Sequence, residues 1–218
     1  MALAIFDLDN TLIAGDSDHA WGEFLADHGW VDRDTHKARN DAFYQDYLKG
    51  ELDIFAYLEF ALSVLKGRSP SEMQAMRAQF VEERIRPLLL DKARQTVERH
   101  RRQGDTLMVI TATNRFVTEP IVQLYGIDTL IAPEPEIVEG RYTGKITGVP
   151  SYQDGKVVRL NDWLQAHPHD LNEAWFYSDS HNDLPLLETV GHPVAVDPDD
   201  TLRRHAEARG WPVISLRD

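Results

Sequence analysis

The spacing of apolar positions along this chain changes twice. Four apolar residues ending at Phe6 form an unbroken run that reads as a short buried strand, and it stops at two carboxylates, Asp7 and Asp9. From about Ser17 to Arg86 the spacing turns helical: Trp21, Phe24, Leu25 and His28 share one face, Phe43, Tyr47 and Leu48 another, and Ile54 to Leu65 makes a further run. Lys66 and Gly67 end that run. Ser69, Pro70 and Glu72 then supply an N-cap serine, a proline at the first helical position and a capping-box glutamate. Nothing in this stretch reads as a strand.

From Pro87 short strands and helices alternate. A helix from about Asp91 to Gly104 precedes the strand Thr106–Thr111, and a helix from about Asn114 to Tyr125 stops at Gly126. The strand Leu130–Ala132 leads into EIVEGRYTGKITG, whose alternation around Gly140 predicts a hairpin. Lys156 opens a helix through Val157, Leu160 and Leu164, and the strand Ala174–Asp179 again ends in acid. Pro193–Val196, a helix through Leu202 and Ala206, and the strand Pro212–Leu216 complete the series. The pattern predicts an α/β fold, a mostly parallel sheet flanked by helices with right-handed crossovers. Residues 1–15 and 87–218 are expected to form its core and residues 16–86 an all-helical insertion.

Composition narrows the possible partners. The 218 residues suffice for one α/β domain plus the insertion, and 42% hydrophobic with 27% charged residues is a globular balance. A net charge of −13 with no basic stripe argues against nucleic acid and anionic membrane. An anionic substrate then needs a local metal, lysine or helix N-terminus. The absence of cysteine excludes disulfides and thiolate zinc sites and fits a cytoplasmic enzyme. Asp7 interrupts the first apolar run and no basic leader precedes it, so a signal peptide is not expected. No later run approaches the ~20 apolar residues that cross a bilayer.

Three expected strands end in polar clusters: Asp7-x-Asp9-x-Thr11, Thr111 with Asn114, and Ser178, Asp179 and Asp183, with Lys156 at a helix start between the last two. Buried charge is unfavourable by several kcal/mol unless paired or metal-bound, whereas the carboxyl edge of a parallel sheet is where open α/β folds bind ligands. A calcium loop starting at Asp7 would need glycine at its sixth position and glutamate at its twelfth; Leu12 and Asp18 stand there, so that reading fails. Phosphoryl transfer suits the set. Asp7 can attack phosphorus and Asp9 can protonate the leaving oxygen and then activate water; repulsion from Asp7 and Asp179 favours a protonated Asp9. Thr111 and Lys156 can neutralise phosphoryl oxygens. Mg²⁺, which prefers oxygen ligands and keeps several waters, would take Asp7 and Asp179, with Asp183 ligating or orienting a water.

FDLDNTL, ITATN, the Gly155-Lys156 pair and YSDSHNDLPLLE resemble, in order, the four motifs of the haloacid dehalogenase superfamily. The insertion after the first motif and the hairpin before Lys156 resemble its phosphoserine-phosphatase-like branch, which includes histidinol-phosphate phosphatases. The resemblance implies a Rossmann-like core under a helical cap, Asp7 as nucleophile and Asp9 as acid/base. It also implies a metal site at Asp7, Asp179, Asp183 and the Asp9 backbone carbonyl, and phosphate contacts from Thr111, Lys156 and Asn182. Thr111-Ala112-Thr113 departs from the serine and glycines of phosphoserine phosphatases, which touches substrate fit more than chemistry.

The expected partner is a small phosphate ester. Asp16 follows the first motif where phosphoserine phosphatases hold the substrate's ammonium, so Asp16 or Asp18 is a candidate for the same task; either equally suits a helix N-cap. No arginine stands in Ala61–Lys66, where the branch meets a substrate carboxylate, and Arg68, Arg77, Arg84 and Arg86 are the substitutes at hand. A carboxylate-free amino phosphate such as histidinol phosphate is therefore expected ahead of phosphoserine, with Trp21, Trp30, Phe43, Tyr44 and Tyr47 as a candidate wall for an imidazole. His19, His28, His36, His181 and His192 have no metal-binding spacing and read as surface or packing residues. A signalling domain that stores phosphate on aspartate would need neither Asp9 nor the insertion. A phosphate-binding scaffold would not need every catalytic position filled, and transfer to an alcohol in place of water stays open.

Overall fold

A computed structural model describes residues 1–217. Strand β1 (Leu3–Phe6) lies in the middle of a six-stranded parallel sheet, and all four of its side chains are fully buried. It pairs with β2 (Thr106–Ile110) on one side and, beyond an interval in sequence, with β6 (Trp175–Ser178) on the other. The strand β3 (Thr129–Ile131) flanks β2, while β7 (His192–Val196) and β8 (Val213–Ile214) extend the sheet past β6. Phe6 is level with both Val109 and Tyr177, so Asp7, Thr111 and Asp179 leave the sheet at one edge. The chain turns to opposite sides of β1, which makes this edge a crevice of the kind that binds ligands.

Alternation along β1 divides the core. Ala4 and Phe6 face α5 (Asp91–Gln103) and α6 (Arg115–Gln123); Leu3 and Ile5 face α7 (Asp154–Ala166), α8 (Leu184–Leu187) and α9 (Asp200–Arg209). The hairpin is present as β4 (Glu134–Val138) and β5 (Arg141–Thr147). The last expected strand, Pro212–Leu216, is shortened to Val213–Ile214. Its neighbour β7 ends at Val196, so Ser215 and Leu216 have no ladder partner, and the Asp197 carboxylate accepts the Leu216 amide at 3.0 Å instead.

Between β1 and β2 lie α1 (Ser17–Asp27), α2 (Arg33–Lys49), α3 (Ile54–Leu62) and α4 (Pro70–Phe80). The capping box at Ser69 and Glu72 forms as expected. A π-helical turn, Val81–Ile85, follows α4 on the way to α5. Trp21 and Phe24 of α1 pack with Phe80 of α4, and Trp21 lies edge-on to Phe116 of α6. Trp21 is thus core rather than a wall for a ligand. Backbone hydrogen bonds from Gly67 to Tyr142 and from Tyr142 to Arg68 fasten β5 to the same helices. Among the described residues no helix is long and apolar enough to cross a membrane.

Candidate active site

Asp7 is the first residue beyond β1, and its amide donates to the Tyr177 carbonyl at 2.9 Å, which fixes its carboxylate at the sheet edge. Lys156, in the first turn of α7, donates to Asp7 Oδ1 at 2.7 Å and lies 2.7 and 2.8 Å from the two oxygens of Asp183. Ser178 donates to Asp183 Oδ2 at 2.6 Å. Burial pushes the Asp7 pKa up to about 7 despite Lys156, with Asp183 and Asp9 adding repulsion. Burial alone would lower that of Lys156, but Asp183 and Asp7 more than offset it and hold the amine protonated. Gly155 is needed here, because a Cβ would come within 2.1 Å of the Pro150 carbonyl oxygen and push the Lys156 turn away.

Asp9 faces the other way. Its Oδ1 accepts from the Ser17 amide at 2.6 Å and its Oδ2 from the Thr113 hydroxyl at 2.8 Å. Burial and repulsion from Asp16 raise its pKa to about 6, while the bonds from Ser17 and Thr113 act in the opposite sense. Thr111 Oγ1 accepts from the Thr113 amide, which shapes the loop carrying both hydroxyls. Asp179 accepts from the Thr11 hydroxyl at 3.0 Å; burial, with repulsion from Asp7 and Asp183, pushes its pKa well above the carboxylate range.

Three repelling carboxylates with one ammonium among them leave a deficit of positive charge, and every available donor is oxygen. That donor chemistry fits a hard divalent ion such as Mg²⁺. Among the described residues no three acidic or histidine side chains already converge on one ion position, so water and backbone oxygen would complete any shell.

A cavity opens above this cluster. Asp7, Asp9, Thr111, Lys156, Asn182 and Asp183 line it beside the sheet; Asp16, Asp18, His19, Phe43, Tyr44, Tyr47 and Tyr57 line it from the helices. Asp16 is the N-cap of α1, with Oδ1 accepting from the amides of Asp18 and His19. Asp18 is 4% exposed and neither of its oxygens has a hydrogen-bond partner in good geometry. Burial raises its pKa to about 8, with the Tyr57 hydroxyl acting against the rise. Asn182 donates to the Tyr47 carbonyl at 3.0 Å and its Oδ1 accepts from Tyr152 and Gln153, so its carboxamide engages the helices as well as the site.

Of the proposed aromatic wall, Phe43, Tyr44 and Tyr47 reach the cavity, whereas Trp30 is half exposed under the Arg68 guanidinium. None of the four candidate arginines lines the cavity. Arg68 and Arg77 reach the backbone oxygens of Val64 and Phe116, and Arg84 and Arg86 pair with Asp27 and Glu82. His19, expected at the surface or in packing, lines the cavity. His181 pairs with Asp199, and His192 stacks on Trp175. Thr113, Tyr57, Tyr152 and Gln153 were not legible as site residues. Thr113 alone had a signal, since it follows Thr111 by two positions in the polar strand-end loop.

Fold and site together define an α/β enzyme with an acidic, oxygen-rich centre at the carboxyl edge of its sheet. The chain belongs to the haloacid dehalogenase-like hydrolases, whose family pattern matches residues 4–188. It is 45% identical to a histidinol-phosphatase of Neisseria meningitidis serogroup C over 99% of both chains. It is 31% identical to a phosphoserine phosphatase of Mycobacterium tuberculosis over 99% of this chain and 71% of that one. A Bordetella pertussis protein of unknown function superimposes with a TM-score of 0.92 at 46% identity, covering 99% of this chain and 98% of the other. A phosphoserine phosphatase solved as an analogue of its phospho-aspartyl intermediate has the same fold, with a TM-score of 0.71 at 16% identity over 99% and 93% of the chains. The chain is thus an enzyme whose family and phosphatase relatives agree with the class expected from its motifs.

Proposed function

We propose that this chain hydrolyses small phosphate monoesters with Mg²⁺ through a phosphorylated Asp7, and that its substrate is an amino-alcohol phosphate, with histidinol phosphate first. The observation that carries the reaction is the pairing of a buried, lysine-clamped Asp7 with an Asp9 whose pKa, near 6, lets it exchange a proton close to neutrality. An Asp7 oxygen attacks phosphorus, the bond to the ester oxygen breaks, and Asp9 gives its proton to that oxygen. The Asp9 carboxylate then takes a proton from water, which attacks phosphorus and releases inorganic phosphate from Asp7. Lys156 and Thr111 neutralise and orient the phosphoryl oxygens, and Asn182 helps position them. Magnesium held by Asp7, Asp179, Asp183 and the Asp9 carbonyl would supply further neutralising charge. Residues 16–86 act as a cap that shields the reaction from water.

The choice of ester rests on charge. Asp16 and Asp18 border the cavity on the helical side, and Lys156 is the one lysine or arginine among its lining residues. An ammonium or imidazolium is welcome there; a carboxylate is not, which ranks phosphoserine second. Comparing kcat/KM for histidinol phosphate, phosphoserine, phosphoethanolamine, phosphocholine and a sugar phosphate tests this. Histidinol phosphate should lead, and a clear lead for phosphoserine or the sugar phosphate would overturn the assignment. Asp7→Asn should abolish turnover of all five while remaining folded by circular dichroism.

A further inference from the structure

The helices between β1 and β2 are joined unevenly to the rest. Helix α1 packs against α6 through Trp21 and Phe116 and against α4 through Trp21 and Phe80, and β5 is bonded to the turn at Gly67 and Arg68. Helix α2 buries only His36 and Asn40, yet its C-terminal end reaches the loops at the sheet edge. Two side-chain amides meet it there. Gln153 Nε2 lies 3.2 Å from the Gly50 carbonyl oxygen, and Asn182 Nδ2 lies 3.0 Å from that of Tyr47. Gln153 also donates to Asn182 Oδ1 at 3.0 Å, as Tyr152 does at 3.2 Å, and these two donors dictate which way the Asn182 amide points. The last carbonyls of a helix lack their regular intrahelical donors and carry partial negative charge, so amide donors complement them; the Tyr47 carbonyl accepts from Asn182 as well as from the Gly50 amide of the helix cap.

Two further observations make the contact specific. A Cβ on Gly50, itself at φ 73°, would stand 3.0 Å from His181 Nε2, so the helix end is pressed against the loop. Gln153 is held at φ 47°, ψ −123°, a region unfavourable for any residue with a side chain, and its side chain does not cap α7. Such strain persists where surrounding contacts over-determine it. The contacts of Gln153 lead to α2, and the same helix end carries Tyr47, whose ring stands 6.2 Å from that of Tyr152 in the cavity wall.

We propose that Gln153 is a positioning residue whose carboxamide, together with Asn182, clasps the C-terminal end of α2 over the carboxylate–lysine cluster. The clasp opens for a ligand to enter or leave. The proposed reaction enters only through what lies beneath the clasp, and amide exchange tests the clasp without a substrate.

Three variants of the full chain suffice. Gln153→Gly removes the side chain and relieves the backbone, Gln153→Glu keeps the shape but loses both donors, and Gln153→Asn retains an amide on a residue that tolerates positive φ. Exchange of the amides in residues 44–51 should quicken about tenfold in Gln153→Gly and Gln153→Glu, as should tryptic cleavage after the exposed Lys49, while α1 and α4 stay unchanged. The melting temperature of Gln153→Gly should not fall, and Gln153→Asn should lie between it and the wild type. With an aryl phosphate, KM should rise several-fold in the Gly and Glu variants and kcat change less. Unchanged exchange in both, or loosening throughout with a lower melting temperature in Gln153→Gly, would overturn the clasp. Absence of phosphatase activity in every form, with the exchange pattern intact, would count against the proposed reaction and support the clasp.

Discussion

Where the cavity meets the sheet, Asp7 and Asp183 share the Lys156 ammonium at 2.7–2.8 Å; on α1, Asp18 is equally buried with no cation beside it and only the Tyr57 hydroxyl, in poor hydrogen-bond geometry, to favour its charge. The two places hold the same residue type at similar depth. In the first the chain supplies the countercharge, which keeps Asp7, the proposed nucleophile, in place before any ligand arrives. In the second it does not, and burial raises the Asp18 pKa to about 8. A buried carboxylate left in this state is unfavourable to folding. A cationic ligand would supply the missing charge, and on the proposed function the contrast would divide the cavity into an end for phosphate and an end for an amine.

Removing the countercharge from the first end should have the largest effect. Lys156→Met leaves two buried carboxylates unpaired, so we expect a loss of about 3–5 kcal/mol and a fall in melting temperature of roughly 6–20 °C, with phosphatase activity lost. Circular dichroism melts and an aryl-phosphate assay check this, and a variant as stable as wild type would equate the two ends.

Asp18→Asn should act in the opposite sense on stability. The folded pKa is raised from 3.8 to about 8, so the folded protein binds the proton more tightly than the unfolded chain. The contribution is present below about pH 4 and is lost as pH rises towards 8. Wild type should therefore lose melting temperature over that interval more steeply than Asp18→Asn. The variant should also lose about tenfold or more in kcat/KM for histidinol phosphate and little for an aryl phosphate. Equal losses on both esters would remove Asp18 from specificity.

Thr113→Val should have the smallest effect. It removes a hydroxyl that favours the charged form of Asp9, so the pKa near 6 should move up and the acidic limb of the pH–rate profile with it, at a loss of roughly tenfold in kcat. An unmoved profile would detach Thr113 from Asp9.

Much of this was legible in the chain. Apolar runs ending in acid marked β1 and β6, because a central parallel strand is buried on both faces and only its end can carry charge. Helical spacing marked the insertion, and local capping chemistry located the start of α4. The aromatic residues were less legible. Trp21 and Tyr44 look alike in a helical pattern, but Trp21 faces Phe80 and Phe116 while Tyr44 lines the cavity, since a helix face acquires meaning only from what it meets.

The sequence by itself determined the strand-end carboxylates, the lysine behind its glycine and the helical insertion, since each depends on residues near in the chain or on a period set by backbone geometry. Only the tertiary structure decided that Asp16 caps α1 while Asp18 is buried without a cation, that Thr113 serves Asp9, and that Gln153 reaches Gly50. These are contacts across the fold or choices between neighbouring side chains. Their geometry arises only when the helices close over the sheet edge, where burial obliges a carboxylate to find a partner or to take up a proton.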